Sequence, residues 1–110
     1  MIVVDVEGAV FNDGRYLMVV RGKDSSHATG ALSFPGGKLE EDDGPEDALE
    51  SALRREIAEE AGVTVHDRMT FVGSDLFDMD DGRKVLRWSS SVITPGVRRG
   101  LVRTRRASTG

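Results

Sequence analysis

Pro45-Glu46-Asp47-Ala48-Leu49-Glu50-Ser51-Ala52-Leu53-Arg54-Arg55-Glu56-Ile57-Ala58-Glu59-Glu60-Ala61-Gly62-Val63 is the stretch that decides the fold. It is rich in good helix formers, with Pro45 suited to a first turn and Gly62 to a C-terminal stop. The sequence therefore predicts a helix over Pro45–Ala61. Leu49, Ala52, Leu53 and Ile57 form one apolar stripe at about 100° per residue. Glu56 and Glu60 fall about 20° either side of Leu49 on the same wheel, inside that stripe, and Glu59 lies at its border. An ionised carboxylate turned inward without a partner is very costly. Something positive must therefore meet the C-terminal half of this face. Carboxylates spaced i, i+3 and i+4 can converge on one point, and a hard divalent cation takes such oxygens. The alternative is a surface helix whose Glu side chains pair with Arg54 and Arg55.

Upstream, Phe34-Pro35-Gly36-Gly37 marks a sharp turn, followed by the acidic loop Lys38–Asp43. Ile2–Phe11 and Tyr16–Arg21 read as strands joined by Asn12-Asp13-Gly14, a hairpin. Gly22–Leu32 is a polar loop. Downstream, Val63–Val65 and Met69–Val72 are strand candidates. Asp75–Met79 and Lys84–Ser91 flank Asp80-Asp81-Gly82 as a second hairpin. Strand, strand, helix and strands in this order indicate one mixed α/β domain of the α+β type over residues 1–96. The remainder, 97–110, is a basic tail expected to be disordered.

Ten of the 19 acidic residues lie between Glu40 and Glu60, and five Arg (98, 99, 103, 105, 106) lie in the tail. The acidic middle suggests cation binding; a nucleic-acid partner for the tail is not expected. With no Cys, there are no disulfides, thiolate metal sites or Cys nucleophile. No signal peptide or membrane span is read, so a cytoplasmic setting is expected. An unfinished sheet edge would favour a homodimer. Neither a Gly-x-Ser-x-Gly elbow nor a Walker-type Gly-Lys-Ser/Thr occurs.

Arg55-Glu56-Ile57-Ala58-Glu59-Glu60-Ala61-Gly62-Val63 resembles the second half of the Nudix signature at every specified position, and Pro35-Gly36-Gly37-Lys38-Leu39-Glu40 resembles its opening. The resemblance implies an α/β/α sandwich with a mixed β-sheet. It also implies Mg²⁺- or Mn²⁺-dependent hydrolysis of a pyrophosphate bond in a nucleoside diphosphate-linked substrate, a nucleoside triphosphate or ADP-sugar. Carried over by position, Glu56, Glu59 and Glu60 would bind metal and serve catalysis, with the Gly37 carbonyl as a further ligand. Arg55 would hold a carboxylate in place. Arg21, His27 and Glu40 would contact substrate or phosphate.

Three departures accompany the match. Counting back from Arg55 puts the signature's first acid at Asp47, and its Gly at Glu41. About four extra residues would then sit within Glu41–Glu46, at small entropic cost. The sequence carries no Glu after Glu60, leaving Asp75, Asp78, Asp80 and Asp81 as candidates for a late catalytic acid. Pro95–Gly110 does not resemble a closing helix. A catalytically impaired nucleotide- or metal-binding module is the alternative reading.

Overall fold

The computed structural model describes residues 1–12, 14–20, 31–66 and 68–93. Strand β1 (Ile2–Asn12) is the spine of the main sheet. On one side it pairs in parallel with β7 (Lys84–Ile93), from Ile2 opposite Lys84 to Phe11 opposite Ile93. Its other side is shared by two short antiparallel partners. These are β5 (Gly36–Lys38) along Asp5–Glu7 and β2 (Arg15–Tyr16) at Phe11 and Asn12. Strand β6 (Thr70–Asp78) lies antiparallel to β7. A parallel pair needs a long crossover, and helix α1 (Ala48–Ala61) lies within the chain that connects β1 to β7. Strands β3 (Val19–Val20) and β4 (Leu32–Ser33) form a separate two-stranded sheet.

The predicted first hairpin is present but short. Val19 and Val20 leave β1 to pair with Ser33 and Leu32. The second hairpin is present and longer than predicted. Its turn is closed by Met79 N–H to Arg83 O (2.8 Å) and Gly82 N–H to Met79 O (3.0 Å). Val63–Val65 is not a strand; Val63 and Val65 are buried in the core. The helix begins at Ala48, three residues later than predicted, so Pro45 lies in the preceding turn. Gly62 does stop it, in left-handed conformation (φ 70°) with its N–H on Ala58 O at 2.9 Å.

Strand pleating sends alternate side chains of β1 to opposite faces. Val6, Gly8 and Val10 face α1, where they meet Leu53 and Ile57 in a core that includes Val92 and Trp88. Gly8 is required there by space. A Cβ on it would stand 2.7 Å from Leu53 Cδ2. The other face is polar at its centre. Arg87 Nε donates to Asp5 Oδ2 (3.2 Å) and lies 5.0 Å above the Phe77 ring, and Ser89 Oγ donates to Glu7 Oε2 (3.4 Å). The Phe11 and Tyr16 rings meet edge-on at its end. Among the described residues, no helix is long and apolar enough to cross a membrane.

Leu53 is fully buried under the sheet. Leu53→Ala is expected to lower unfolding free energy by about 2–5 kcal/mol, read from denaturant melts. A loss under about 1 kcal/mol would mean that the helix–sheet core is not the main source of stability.

Candidate active site

The inward carboxylates predicted from the helical wheel are inward in the structure. Glu56 is 8% exposed and Glu60 is 4% exposed. Both point at the Gly36-Gly37 pair of β5. The Gly36 N–H donates to Glu60 Oε1 at 2.9 Å. At Gly37 the Glu56 carboxylate occupies the space that a Cβ would need. Gly36 is equally constrained, since a Cβ there would collide with the Val6 carbonyl oxygen. Gly36 is thus demanded by the close approach of the Val6 backbone, and Gly37 leaves the space that the Glu56 carboxylate fills.

Arg55 supplies the positive charge. Its Nη1 donates to Glu56 Oε2 (3.0 Å) and, at 3.4 Å, to Glu59 Oε1. Its Nη2 donates to the Lys38 carbonyl (3.0 Å). Its Nε and Nη2 grip Asp43 Oδ1 and Oδ2 at 3.0 and 2.9 Å, a two-pronged charge-assisted pair. Glu40 Oε2 stands 3.5 Å from Nη1. Glu59 and Glu40 are exposed, so they complete the rim while Glu56 and Glu60 form the floor.

Asp43, not Asp47, is the acid that holds Arg55. Asp47 is exposed, sits before α1 in left-handed conformation (φ 50°), and makes no capping hydrogen bond from its side chain. Asp43 ends a 3₁₀ turn (Glu41–Asp43) and also accepts the Glu40 N–H at 2.7 Å. Counting back from Arg55 pointed to the wrong residue because the extra residues lie after this acid, at Gly44–Asp47, and not before it. Counting forward from Gly37 finds it, since five residues separate Gly37 from Asp43.

Two carboxylates on one guanidinium are shifted in opposite directions. Hydrogen bonds from Arg55 hold the Asp43 carboxyl below its ordinary value, against a smaller opposing effect of burial. Burial raises the Glu56 carboxyl above its ordinary value, and Arg55 offsets that only in part. Arg55 itself is held more firmly protonated, chiefly by Asp43.

Other predicted residues lie elsewhere. Asp78 pairs with Lys84 Nζ (2.7 Å), and Asp81 takes both the Arg83 N–H and Nε at the hairpin turn. Asp80 is in that same turn, and Asp75 sits opposite Arg87 in the β6–β7 ladder. Arg21, His27 and the 97–110 tail lie outside the described residues. Among the described residues, no three His, Cys, Asp or Glu side chains are gathered closely enough to hold a metal ion. The floor nevertheless fits a hard cation in its chemistry. Its side-chain donors are carboxylate oxygens, and the glycine pair leaves no side chain between them and the β5 backbone.

Asp43→Asn should cost on the order of 2 kcal/mol, because Arg55 loses the charged partner that takes both prongs of its fork, whereas Asp47→Asn should stay within about 0.5 kcal/mol. The folded-state pKa of Asp43 is lowered. Its contribution is therefore complete above about pH 4, the unfolded value, and is lost as pH falls through the folded value. Chemical melts of both variants across pH 2–7 would measure this. Equal losses in the two variants would remove Asp43 from its role.

The NUDIX domain family model matches residues 1–103. No curated protein matches the sequence, but solved structures match the fold. The MutT protein from Methanosarcina mazei Go1 is 23% identical, with a TM-score of 0.67, over 87% of this chain and 67% of that one. The MutT NUDIX hydrolase from Burkholderia pseudomallei is 24% identical, with a TM-score of 0.70, over 94% and 75%. The NUDIX domain of Shewanella oneidensis NrtR, crystallised with ADP ribose, is 18% identical, with a TM-score of 0.68, over 86% and 61%. The chain thus spans between about three fifths and three quarters of these structures' length. With the family model matched over nearly all of it, the chain belongs to the NUDIX domain family.

Proposed function

We propose that this domain hydrolyses a pyrophosphate bond in a nucleoside diphosphate-linked substrate, a nucleoside triphosphate or an ADP-sugar, with Mg²⁺ or Mn²⁺. The observation that carries the reading is the pair of buried carboxylates, Glu56 and Glu60, held against Gly36-Gly37 by Arg55 and a backbone N–H. Glu56, Glu59 and Glu60, with the Gly37 carbonyl, would hold the cation. When bound, such an ion offsets phosphate charge and lowers the pKa of a coordinated water.

The chain's own residues supply positioning. Arg55 fixes the Glu56 carboxylate relative to the Lys38 carbonyl, so helix and loop keep one spacing. Gly36 fixes Glu60 in the same way. Preorganised charge of this kind costs no rearrangement during reaction. Glu40, exposed on the loop rim beside Arg55, would orient phosphates, and Arg21 and His27 are retained as substrate contacts on sequence grounds.

A binding module without turnover is the second reading. It is favoured by two of the four late-acid candidates, since Asp78 and Asp81 are paired with Lys84 and Arg83 on the hairpin. The ADP ribose bound to the NrtR domain is compatible with either reading.

Glu60→Gln keeps an oxygen for the Gly36 N–H while removing the charge. Turnover of nucleoside triphosphates and ADP-ribose should fall about 100-fold or more, the scale of losing a group that stabilises transition-state charge. The melting temperature should hold. Undiminished Mg²⁺-dependent turnover in this variant would sink the assignment of Glu60. No turnover from the folded parent chain would favour the binding module.

A further inference from the structure

Strand β6 ends the main sheet, and among the described residues no strand pairs with its outer edge. A strand edge is a template for another chain, and proteins blunt it with Lys, Pro or inward-pointing charge. Thr70-Phe71-Val72-Gly73-Ser74-Asp75-Leu76-Phe77-Asp78 carries no Lys and no Pro. Its two acids lie beside cations of β7. Asp78 pairs with Lys84 Nζ at 2.7 Å, and Asp75 stands opposite Arg87 in the ladder. Phe71, Val72 and Leu76 are 58%, 65% and 57% exposed, so the strand presents apolar surface along with its edge.

The register gathers these apolar residues on one face. Val4, Leu86 and Leu76 form one row across the sheet, and Gly8, Ser90 and Phe71 form another, both on the α1 side. Between them Trp88 packs against the core, with its ring 6.4 Å from that of Phe71. Phe71 and Leu76 are five residues apart, and a regular strand would send them to opposite faces. The irregularity between Phe71 and Gly73 inserts Val72 and brings them to the same face. Helix α1 packs on β1 and β5, and Leu86 beside β6 is exposed. The apolar strip therefore lies beyond the helix.

We propose that the outer edge of β6 is the interface for a second copy of this chain, paired antiparallel about a two-fold axis. Full overlap of two Thr70–Asp78 strands centres that axis on Ser74. Val72 of each copy then meets Leu76 of the other. Arg68, exposed just before β6, meets Asp80, exposed just after it. Both contacts occur twice, so the surface complements itself and the pair closes. A parallel arrangement would set Arg68 against Arg68 and Asp80 against Asp80, and like charges directly opposite repel. The two apolar strips share one face of the joined sheet. Strand β5 lies on the other side of β1, so the pairing leaves the candidate active site clear.

Sedimentation velocity on the intact chain is the test. The mass should rise with concentration from one chain to two and stop there. Leu76→Lys sets a charge in the apolar contact and should weaken association about tenfold or more. Its melt at the lowest concentration should match the parent, because Leu76 is exposed in the single chain. Arg68→Asp and Asp80→Arg should each weaken association. The two together should restore it, since they exchange the charges across the interface. This exchange does not depend on Leu76, so it decides the register even where Leu76→Lys disturbs folding. A single chain at every concentration, growth beyond two chains, a dimer indifferent to Leu76→Lys, or a double variant no tighter than the single ones would overturn the proposal.

Discussion

Arg55 joins three segments that the backbone leaves separate. Its guanidinium reaches the 3₁₀ turn through Asp43, the loop after β5 through the Lys38 carbonyl, and its own helix through Glu56 and Glu59. A planar fork with five donors can make such contacts at once, and a lysine could not. Each acid on its own would be costly to bury. Gathered on one cation, Asp43 and Glu56 can both stay in the interior. The position of the loop relative to α1, and hence of Gly37 relative to Glu56, follows from this one side chain. It also explains how an insertion beside the site is tolerated. Gly44–Asp47 enters the chain after Asp43 and before α1, so it lengthens a connection and leaves the clamped residues where they are.

The clamp does not treat its two buried acids alike. Asp43 receives both prongs of the fork and the Glu40 N–H, so hydrogen bonds outweigh desolvation. Glu56 receives one arm of the guanidinium, with Glu59 and Glu40 repelling from the same side, and desolvation prevails. Geometry, not residue type, separates the two. Asp43 is bound into the scaffold, and Glu56 faces the glycine pair.

The helix and its two inward carboxylates were legible because a 3.6-residue period is a local property, and Glu56 and Glu60 break the expected polar face. The second hairpin was legible for the same reason, from Asp80-Asp81-Gly82 between two alternating runs. What local pattern cannot carry is partner choice. Nothing in Ile2–Asn12 announces a parallel partner more than 70 residues later, as Val6 opposite Trp88 is. Val19-Val20 reads as a continuation of the first hairpin, yet it pairs with Leu32-Ser33. Val63 and Val65 alternate like a strand and are buried, but burial alone does not make a ladder. Asp43 was missed because spacing was counted from Arg55 across the insertion. A bond between residues 12 apart is a fact of space, and an inserted turn shifts the count without shifting the contact.

The central strand is what allows one small domain to carry different chemistry on its two faces. The pleat of β1 assigns Val6 and Val10 to the helix and Asp5 and Glu7 to the opposite face. Strand β5 lies against this stretch as Gly36-Gly37-Lys38, and its two glycines meet two different constraints. Gly36 has the Val6 carbonyl where a side chain would begin, and Gly37 has the Glu56 carboxylate there. A methyl group at either would push β5 off β1 or Glu56 off β5. The glycine pair thus sets how closely the acidic floor can approach the sheet, and Arg55 sets how firmly it stays. With the gap closed on both counts, the carboxylates of α1 and the exposed rim of the loop are held within one strand's width of the opposite face.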